Sequence, residues 1–213
     1  MGDNYKKSID TFDRNAEQYQ DKYLEFEFYT QTYGSMFEHL PERGGRVLDL
    51  GCGPGSISKY LLERGLNLQV VGVDAAPSMI ALARENCPSG DFHVMDVRKV
   101  SELEGPFDVI ACGFCIPYLN LEDVQKLLKT CLGLLTSNGL FYLSAIEGEH
   151  GSTMTLGPDD GDQVVQFYYG FEELQALLVE MGFKVTSAER KRYPTDDPSD
   201  VHIEMFFYVT AAQ

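Results

Sequence analysis

Apolar positions along the chain fall into two alternating rhythms. Short strand-like segments recur at residues 46–50 (RVLDL), 68–73 (LQVVGV, the most continuously apolar), 92–95, 107–112 (FDVIAC) and 140–146 (LFYLSAI). Continuous runs of that length predict strands covered on both faces. Between them the spacing changes to three and four. Ile57, Tyr60, Leu61 and Arg64 share one side of a helix, and residues 76–85 open a second with Pro77 in its first turn. Val124, Leu127, Leu128, Cys131, Leu132 and Leu135 form an amphipathic stripe that Ser137-Asn138-Gly139 ends. Phe171, Leu174, Leu177, Leu178 and Met181 form another, closed by Gly182. Residues 147–170 are polar and glycine-bearing and read as a loop.

Strand–helix alternation predicts an α/β fold: a doubly wound, mostly parallel sheet with helices on both faces. Two final strands, at 183–188 and 203–210, have only a turn-rich segment between them. They should pair as an antiparallel ribbon. Neither a repeat nor a low-complexity segment interrupts the pattern. The 213 residues suit a single domain, 1–213, with N-terminal helices over residues 1–43 and an α/β core over 44–213.

Composition narrows the function. Thirty-three acidic against seventeen basic residues give a formal charge of −16, a field that repels nucleic acid. The one dense basic run, Arg190-Lys191-Arg192, is short. A small-molecule partner is therefore expected, and solubility is the plainer meaning of the charge. No apolar run approaches the roughly 18 residues of a membrane span. The opening MGDNYKKSIDTFDRN lacks the apolar stretch of a secretory signal, and Lys6 breaks a myristoylation pattern. A cytoplasmic location is expected, with no membrane partner.

Five cysteines do not suggest a disulfide framework. Cys112-Gly113-Phe114-Cys115 matches C-x-x-C, but Ile116-Pro117 follows at once, and no second pair completes a zinc site. Buried structural thiols are expected, and no metal.

The informative stretch is Val47-Leu48-Asp49-Leu50-Gly51-Cys52-Gly53-Pro54-Gly55-Ser56. Glycines between a first strand and a first helix let backbone approach a ligand where doubly wound sheets bind nucleotides. Ser56 stands where the dinucleotide fingerprint has its third glycine. Asp49, two residues ahead of the turn, is expected to point near the ligand. Against a diphosphate, each like-charge pair at about 4 Å and an effective dielectric of about 20 costs roughly 4 kcal/mol. A sulfonium or ammonium reverses that sign. Asp74, about twenty residues beyond the turn, is placed to accept from ribose hydroxyls. Asp96 closes the third strand and can accept from an adenine amino group, with Val97 and Met79 on the ring faces. Any one of these carboxylates alone reads equally as a helix cap or turn residue. Three at successive strand ends, in register with one glycine turn, point to an adenosine compound.

These residues resemble the class I S-adenosylmethionine-dependent methyltransferases, of the small-molecule methyltransferase-domain type. VLDLGCGPGSIS looks like that family's first motif, GVDAAPSMI its second, FHVMDV its third, and FDVIACGFCIPYL and LLTSNGLFYLSAI its fourth and fifth. Phe12-Asp13-Arg14-Asn15-Ala16-Glu17-Gln18-Tyr19 looks like the leading helix of many members, whose tyrosine, here Tyr19, helps to lid the cofactor. The resemblance implies a Rossmann-like, seven-stranded sheet with the last strand inserted antiparallel. It implies S-adenosylmethionine as cofactor and S-adenosylhomocysteine as product. Gly51, Cys52 and Gly53 would line the methionine part, Asp74 with Ala75 the ribose and Asp96 the adenine, and Cys112 and Gly113 would present backbone near the transferred methyl.

Methyl transfer from a sulfonium needs alignment at about 3 Å and exclusion of water, so a dedicated acid or base is optional. The candidates are weak: His150 as a general base, and Tyr118. Tyr118, His150, Tyr168 and Tyr169 are candidate substrate contacts, each with a plain surface or packing role as the alternative. Ile116-Pro117-Tyr118 departs from the Asn/Asp-Pro-Pro-aromatic sequence of amino-methylating nucleic-acid enzymes, and no Pro-Cys nucleophile is present. Two competing readings share the same plan: a non-catalytic S-adenosylmethionine-binding sensor or scaffold, and an NAD-dependent oxidoreductase. The acceptor and the oligomeric state are not legible.

Overall fold

The computed structural model describes residues 4–42, 44–64, 67–149, 151, 153–156, 162, 164–195 and 202–212. Three short helices come first: α1 (Asn4–Arg14), α2 (Ala16–Tyr23) and α3 (Glu27–Thr30). The alternating core then runs β1 (Gly45–Leu50), α4 (Ser56–Leu62), β2 (Leu68–Asp74), α5 (Pro77–Asn86), β3 (Asp91–Val94), β4 (Phe107–Cys112), α6 (Leu121–Leu134) and β5 (Leu135–Ile146). A small hairpin follows, β6 (Thr153–Leu156) with β7 (Val164–Phe167), and then α7 (Phe171–Glu180), β8 (Phe183–Arg192) and β9 (Ile203–Ala211).

Seven strands form one sheet in the order β3-β2-β1-β4-β5-β9-β8. β1 to β5 pair in parallel, and β9 is antiparallel to both of its neighbours, β5 and β8. The sheet is the expected mixed, doubly wound one. Its residues alternate between two cores, as a strand's period of two requires. Leu48, Leu50, Ile110, Phe141, Leu143 and Phe207 pack into the cluster that contains the buried stripes of α6 and α7. Val47, Val109, Leu140, Tyr142 and Phe206 pack on the other face with Ile57, Leu61, Tyr29 and Met36.

Two expectations need correction. β5 begins at Leu135, five residues earlier than the apolar run suggests, so Ser137-Asn138-Gly139 lies inside the strand. Leu135 pairs with Phe107, and the register then jumps to Leu140 opposite Val109. The polar triplet is the bulge that absorbs the extra residues, and a Cβ on Gly139 would meet Phe107 O at 3.1 Å. The segment 147–170 is not all loop: β6 and β7 pair antiparallel, Thr153 opposite Phe167. Polar residues around these two short strands hide their β-branched content. The hairpin serves the first helix, since Val165 N–H donates to Ser8 Oγ at 3.2 Å. Among the described residues no helix is long and apolar enough to cross a membrane.

Candidate functional site

A cleft of about 120 Å³ opens at the C-terminal ends of β1, β2 and β4. Crevices beyond strand carboxyl ends are where such sheets bind ligands. One wall is Gly51, Gly53, Asp74, Ala75, Val97 and Gly113; the opposite wall is Tyr5, Ser8, Ile9 and Phe12 of α1 with Tyr19 of α2.

The strand-end wall is shaped by backbone. Gly51 and Gly53 have φ of +63° and +54°, a conformation that costs any other residue energy. A Cβ on Gly53 would approach Tyr19 Cε1 at 3.7 Å and Met79 Sδ at 4.0 Å. Tyr19 and Met79 therefore face each other across bare backbone. Gly53 N–H donates to Asp74 Oδ2 and Ala76 N–H to Asp74 Oδ1, both at 2.9 Å. Burial raises the Asp74 carboxyl above its usual range, and the N–H groups of Ala76, Gly53 and Ala75 partly offset that.

Three donors of the turn are already engaged. Cys52 N–H goes to Val73 O, Gly53 N–H to Asp74, and Gly55 N–H to Cys52 O. At the start of α4, Ser58 N–H and Oγ donate to Asp49 Oδ2 at 3.2 and 2.6 Å. The protein's own carboxylate thus occupies the place where an anionic ligand would meet a helix N-terminus. Of the charged residues lining the cleft, Arg98 is tied to Asp96, with Nε 3.0 Å from both carboxylate oxygens. Asp74 is balanced only by backbone dipoles. The cleft favours a cation.

Asp49 itself departs from expectation. It is 1% exposed and borders a smaller adjoining cavity of about 40 Å³, with Tyr23, Tyr29 and Phe114, rather than the main cleft. Its carboxylate faces α4. Burial pushes it up to about 6 against the two Ser58 hydrogen bonds, and Asp74 adds to the rise.

Tyr19, Gly51, Gly53, Asp74, Ala75, Met79, Asp96, Val97 and Gly113, all expected at the cofactor, line the cleft together with Tyr118. Cys52 and Cys112 do not. The Cys52 side chain packs with Ile80, Ala83 and Phe92, and Cys112 belongs to the core under the sheet. Cys115, hydrogen-bonded to Cys112, is the thiol at the cleft, and that bond together with burial holds it well above the usual range. Of the C-x-x-C pair, Cys112 is buried as expected, whereas Cys115 is partly exposed at the cleft. Tyr169 is a core residue, 2% exposed, whose hydroxyl donates to Leu119 O at 3.1 Å. Tyr168 stands outside the cleft lining, its hydroxyl 3.3 Å from Gln166 Oε1. His150 lies outside the described residues.

Sequence reasoning missed Arg98, Tyr5, Phe12 and Phe114. Asp96 caps its own turn by accepting from Arg98 N–H at 2.9 Å. Burial alone would raise the Asp96 carboxyl, but the Arg98 hydrogen bonds outweigh it and hold it below the usual range. The Arg98 guanidinium lies 4.2 Å from the Tyr5 ring centre, and the Tyr5 hydroxyl donates to Asp123 Oδ2 at 2.6 Å. Phe12 meets Tyr118 edge-on at 4.9 Å. The spacing of Tyr5, Ile9 and Phe12 on α1 was the available signal. Phe114 has φ of +50°, rare for a non-glycine residue, and its N–H is held by Ser144 Oγ at 3.0 Å.

Sheet order and cleft together define a Rossmann-like methyltransferase fold. Residues 47–139 match the family model described as a methyltransferase domain. The chain is 30% identical over 161 residues to the Bacillus subtilis (strain 168) protein YqeM, covering 70% of this chain and 64% of that one. It is 29% identical over 143 residues to the demethylmenaquinone methyltransferase of Thermotoga maritima, covering 65% and 62%. This chain thus spans somewhat less than two thirds of both curated relatives. The solved Burkholderia thailandensis 1,6-didemethyltoxoflavin-N1-methyltransferase, with its substrate and S-adenosylhomocysteine bound, shares the fold with a TM-score of 0.73 at 21% identity, over 98% of this chain and 88% of that one. Residues 47–139 thus carry a methyltransferase domain, and the chain is similar in sequence and in fold to S-adenosylmethionine-dependent methyltransferases.

Proposed function

We propose that this protein transfers a methyl group from S-adenosylmethionine to a small-molecule acceptor in line, at the mouth of the main cleft. The observation that carries this reading is the donor set of the glycine turn. The N–H groups of Cys52, Gly53 and Gly55 are taken by Val73, Asp74 and Cys52, while the Asp74 carboxylate faces the cleft without a cationic side-chain partner among the lining residues. The Asp74 carboxylate would repel a diphosphate and attract a sulfonium compound.

Asp74 and Ala75 would hold the ribose, Asp96 and Val97 the adenine, and Gly51, Gly53 and Gly113 the methionine portion. The bound cofactor supplies an activated methyl with a neutral leaving group. The chain's own part is to orient and to exclude water. Tyr19 and Phe12 act as the lid of residues 1–43, closing apolar rings over the strand-end wall. Tyr118 faces the reacting region, and the buried setting that raises its hydroxyl keeps it a proton donor rather than a base near neutral pH. The relatives named for demethylmenaquinone and for a toxoflavin precursor support a small-molecule acceptor. The charge of −16 supports an acceptor other than nucleic acid and agrees with a cytoplasmic protein.

The test is transfer of labelled methyl from S-adenosylmethionine to a metabolite extract, separated by size. Label is expected in the small-molecule fraction. Tight cofactor binding with no transfer to any fraction would instead make the protein a sensor. Thermal stabilisation by NADH but not by S-adenosylmethionine would overturn the cofactor assignment.

A further inference from the structure

The tyrosines of the main cleft divide by what their hydroxyls touch. Among the described residues three of them line it: Tyr5, Tyr19 and Tyr118. The Tyr5 hydroxyl is spent, donating to Asp123 Oδ2 at 2.6 Å and accepting from Asn120 N–H at 3.2 Å. Those of Tyr19 and Tyr118 meet no hydrogen-bond partner among the described residues. Both side chains are half-buried, and neither hydroxyl belongs to the atoms that the protein closes off from solvent. A half-buried hydroxyl gives up hydration without recovering a protein bond, so a ligand that supplies the bond gains from it.

The two hydroxyls are neighbours. After burial, Tyr118 is the strongest influence raising that of Tyr19. One ring braces both: Phe12 stands edge-on to Tyr19 at 6.0 Å and to Tyr118 at 4.9 Å, centre to centre. Burial first, and then neighbours that include Glu204, raise both hydroxyls, with Asp74 adding to the rise at Tyr19. Both are therefore donors throughout the neutral range. What a donor pair selects depends on the charge beside it. The charged residues lining the cleft are Asp74, Asp96 and Arg98, and Arg98 is committed to Asp96. An anionic oxygen would face Asp74 with no spare cation to hold it, and an ammonium offers a donor no lone pair. A carbonyl oxygen is uncharged and has two lone pairs, so it suits two donors at once.

We propose that Tyr19 and Tyr118 form an acceptor subsite in which both hydroxyls donate to one uncharged carbonyl oxygen, with the apolar body of the acceptor against Phe12. The methyl acceptor is then a neutral, carbonyl-bearing molecule rather than an organic acid. This assignment rests on the methyltransferase reading for its use but not for its binding chemistry. It concerns the anchoring oxygen and not the atom that is methylated.

The test titrates matched probes on the full chain by saturation-transfer NMR, with and without S-adenosylhomocysteine. Acetophenone is set against α-methylstyrene, which replaces the oxygen by a methylene, and against benzoate, which adds a charge. Cyclohexanone against methylenecyclohexane repeats the comparison without an aromatic ring. At least one ketone should bind about tenfold or more tightly than its methylene counterpart, and acetophenone more tightly than benzoate. Tyr19→Phe and Tyr118→Phe, which keep both rings, should each cut the ketone preference severalfold, and the double variant should abolish it. No ketone preference in either pair, whether the probes bind the unaltered protein equally or not at all, overturns the proposal. Tighter binding of benzoate, or a preference intact in the double variant, overturns it too. Because the unaltered protein alone can give the negative answer, poor folding of a variant does not shelter the idea. Calorimetry of S-adenosylhomocysteine on the unaltered protein reads the cofactor assignment separately. Cofactor binding without a ketone preference sinks the subsite alone, whereas no cofactor binding sinks the methyltransferase reading beneath it.

Discussion

The two walls of the cleft are built by different physics. On the strand-end side, Gly53 to Asp74 and Ala76 to Asp74 are hydrogen bonds between backbone and one carboxylate, made within a single β–turn–α unit and its neighbour. On the helical side, Tyr5 reaches Asp123, 118 residues away, through one hydroxyl, and Phe12 reaches Tyr118 through ring contact. The first wall is specified locally and is rigid; the second is assembled by side chains from distant parts of the chain. The comparison implies that damage to the strand-end wall abolishes binding, whereas damage to the helical wall only loosens it.

The hardest blow is Gly53→Val. Its φ of +54° strains a β-branched residue, and the added methyls enter the gap where Tyr19 and Met79 stand 3.7 and 4.0 Å from even a bare Cβ. Binding of S-adenosylhomocysteine by calorimetry should fall at least about a hundredfold, roughly 3 kcal/mol. Near-normal affinity would mean that the ligand lies elsewhere. Asp74→Ala comes next, at about 1–3 kcal/mol of lost cofactor affinity, the usual consequence of unpairing buried polar groups. Asp74→Asn separates two contributions, because it keeps an acceptor for Gly53 N–H while removing the charge. An Asn variant with full affinity would refute the electrostatic part of the reading.

How far the sequence carried these walls follows from the same contrast. The ends of β1 to β4 and the glycine turn were legible because apolar runs and left-handed backbone are local signals. The closing antiparallel ribbon was legible because no helix separates β8 from β9, whereas the insertion of β9 beside β5 was implied only by the family resemblance. Side-chain direction was not legible. Asp49 belongs to the right turn, yet Ser58 captures its carboxylate. Cys52 lines the turn with backbone while its thiol enters the core. Tyr169 and Tyr168 alternate between core and periphery, and neither lines the cleft. Arg98, only two residues beyond Asp96, was a local signal left unread.

Asp49 sharpens the comparison because it supports the turn from beneath without lining the main cleft. Its carboxyl, pushed up to about 6 by burial, titrates above the ordinary aspartate value of roughly 3.9. The folded state then holds the proton more tightly than the unfolded chain. Stability from this group is full below about pH 4 and is lost as pH rises through about 6, on the order of 3 kcal/mol. A cationic ligand prefers the ionised form, so affinity should run the other way and weaken as pH falls below about 6. Asp49→Asn should therefore stabilise the ligand-free protein at pH 7 while weakening S-adenosylmethionine by about 1–2 kcal/mol, a Coulomb contribution from a carboxylate outside the main cleft. Thermal denaturation and calorimetry across pH 5–8 check both signs. A variant both less stable and equally tight would reverse the argument.

The smallest effect belongs to the helical wall. Tyr5→Phe keeps the ring on which Arg98 lies, 4.2 Å away, and removes only the hydroxyl that donates to Asp123 and accepts from Asn120 N–H at 3.2 Å. Burial and the Asp123 hydrogen bond hold that hydroxyl up at about 12, so it stays protonated and able to donate throughout the neutral range. One hydrogen bond to a charged acceptor, partly exposed, is worth about 1 kcal/mol. Because α1 packs on the hairpin and on α5 as well, through Ser8 to Val165 and Asp13 to Ser78, the loss should loosen the wall without detaching it. The expected result is a two- to fivefold faster release of S-adenosylhomocysteine in stopped flow, with an association rate little changed, since the strand-end wall still meets the ligand first. An effect as large as that of Asp74→Ala would mean that the helices bind the cofactor rather than cover it.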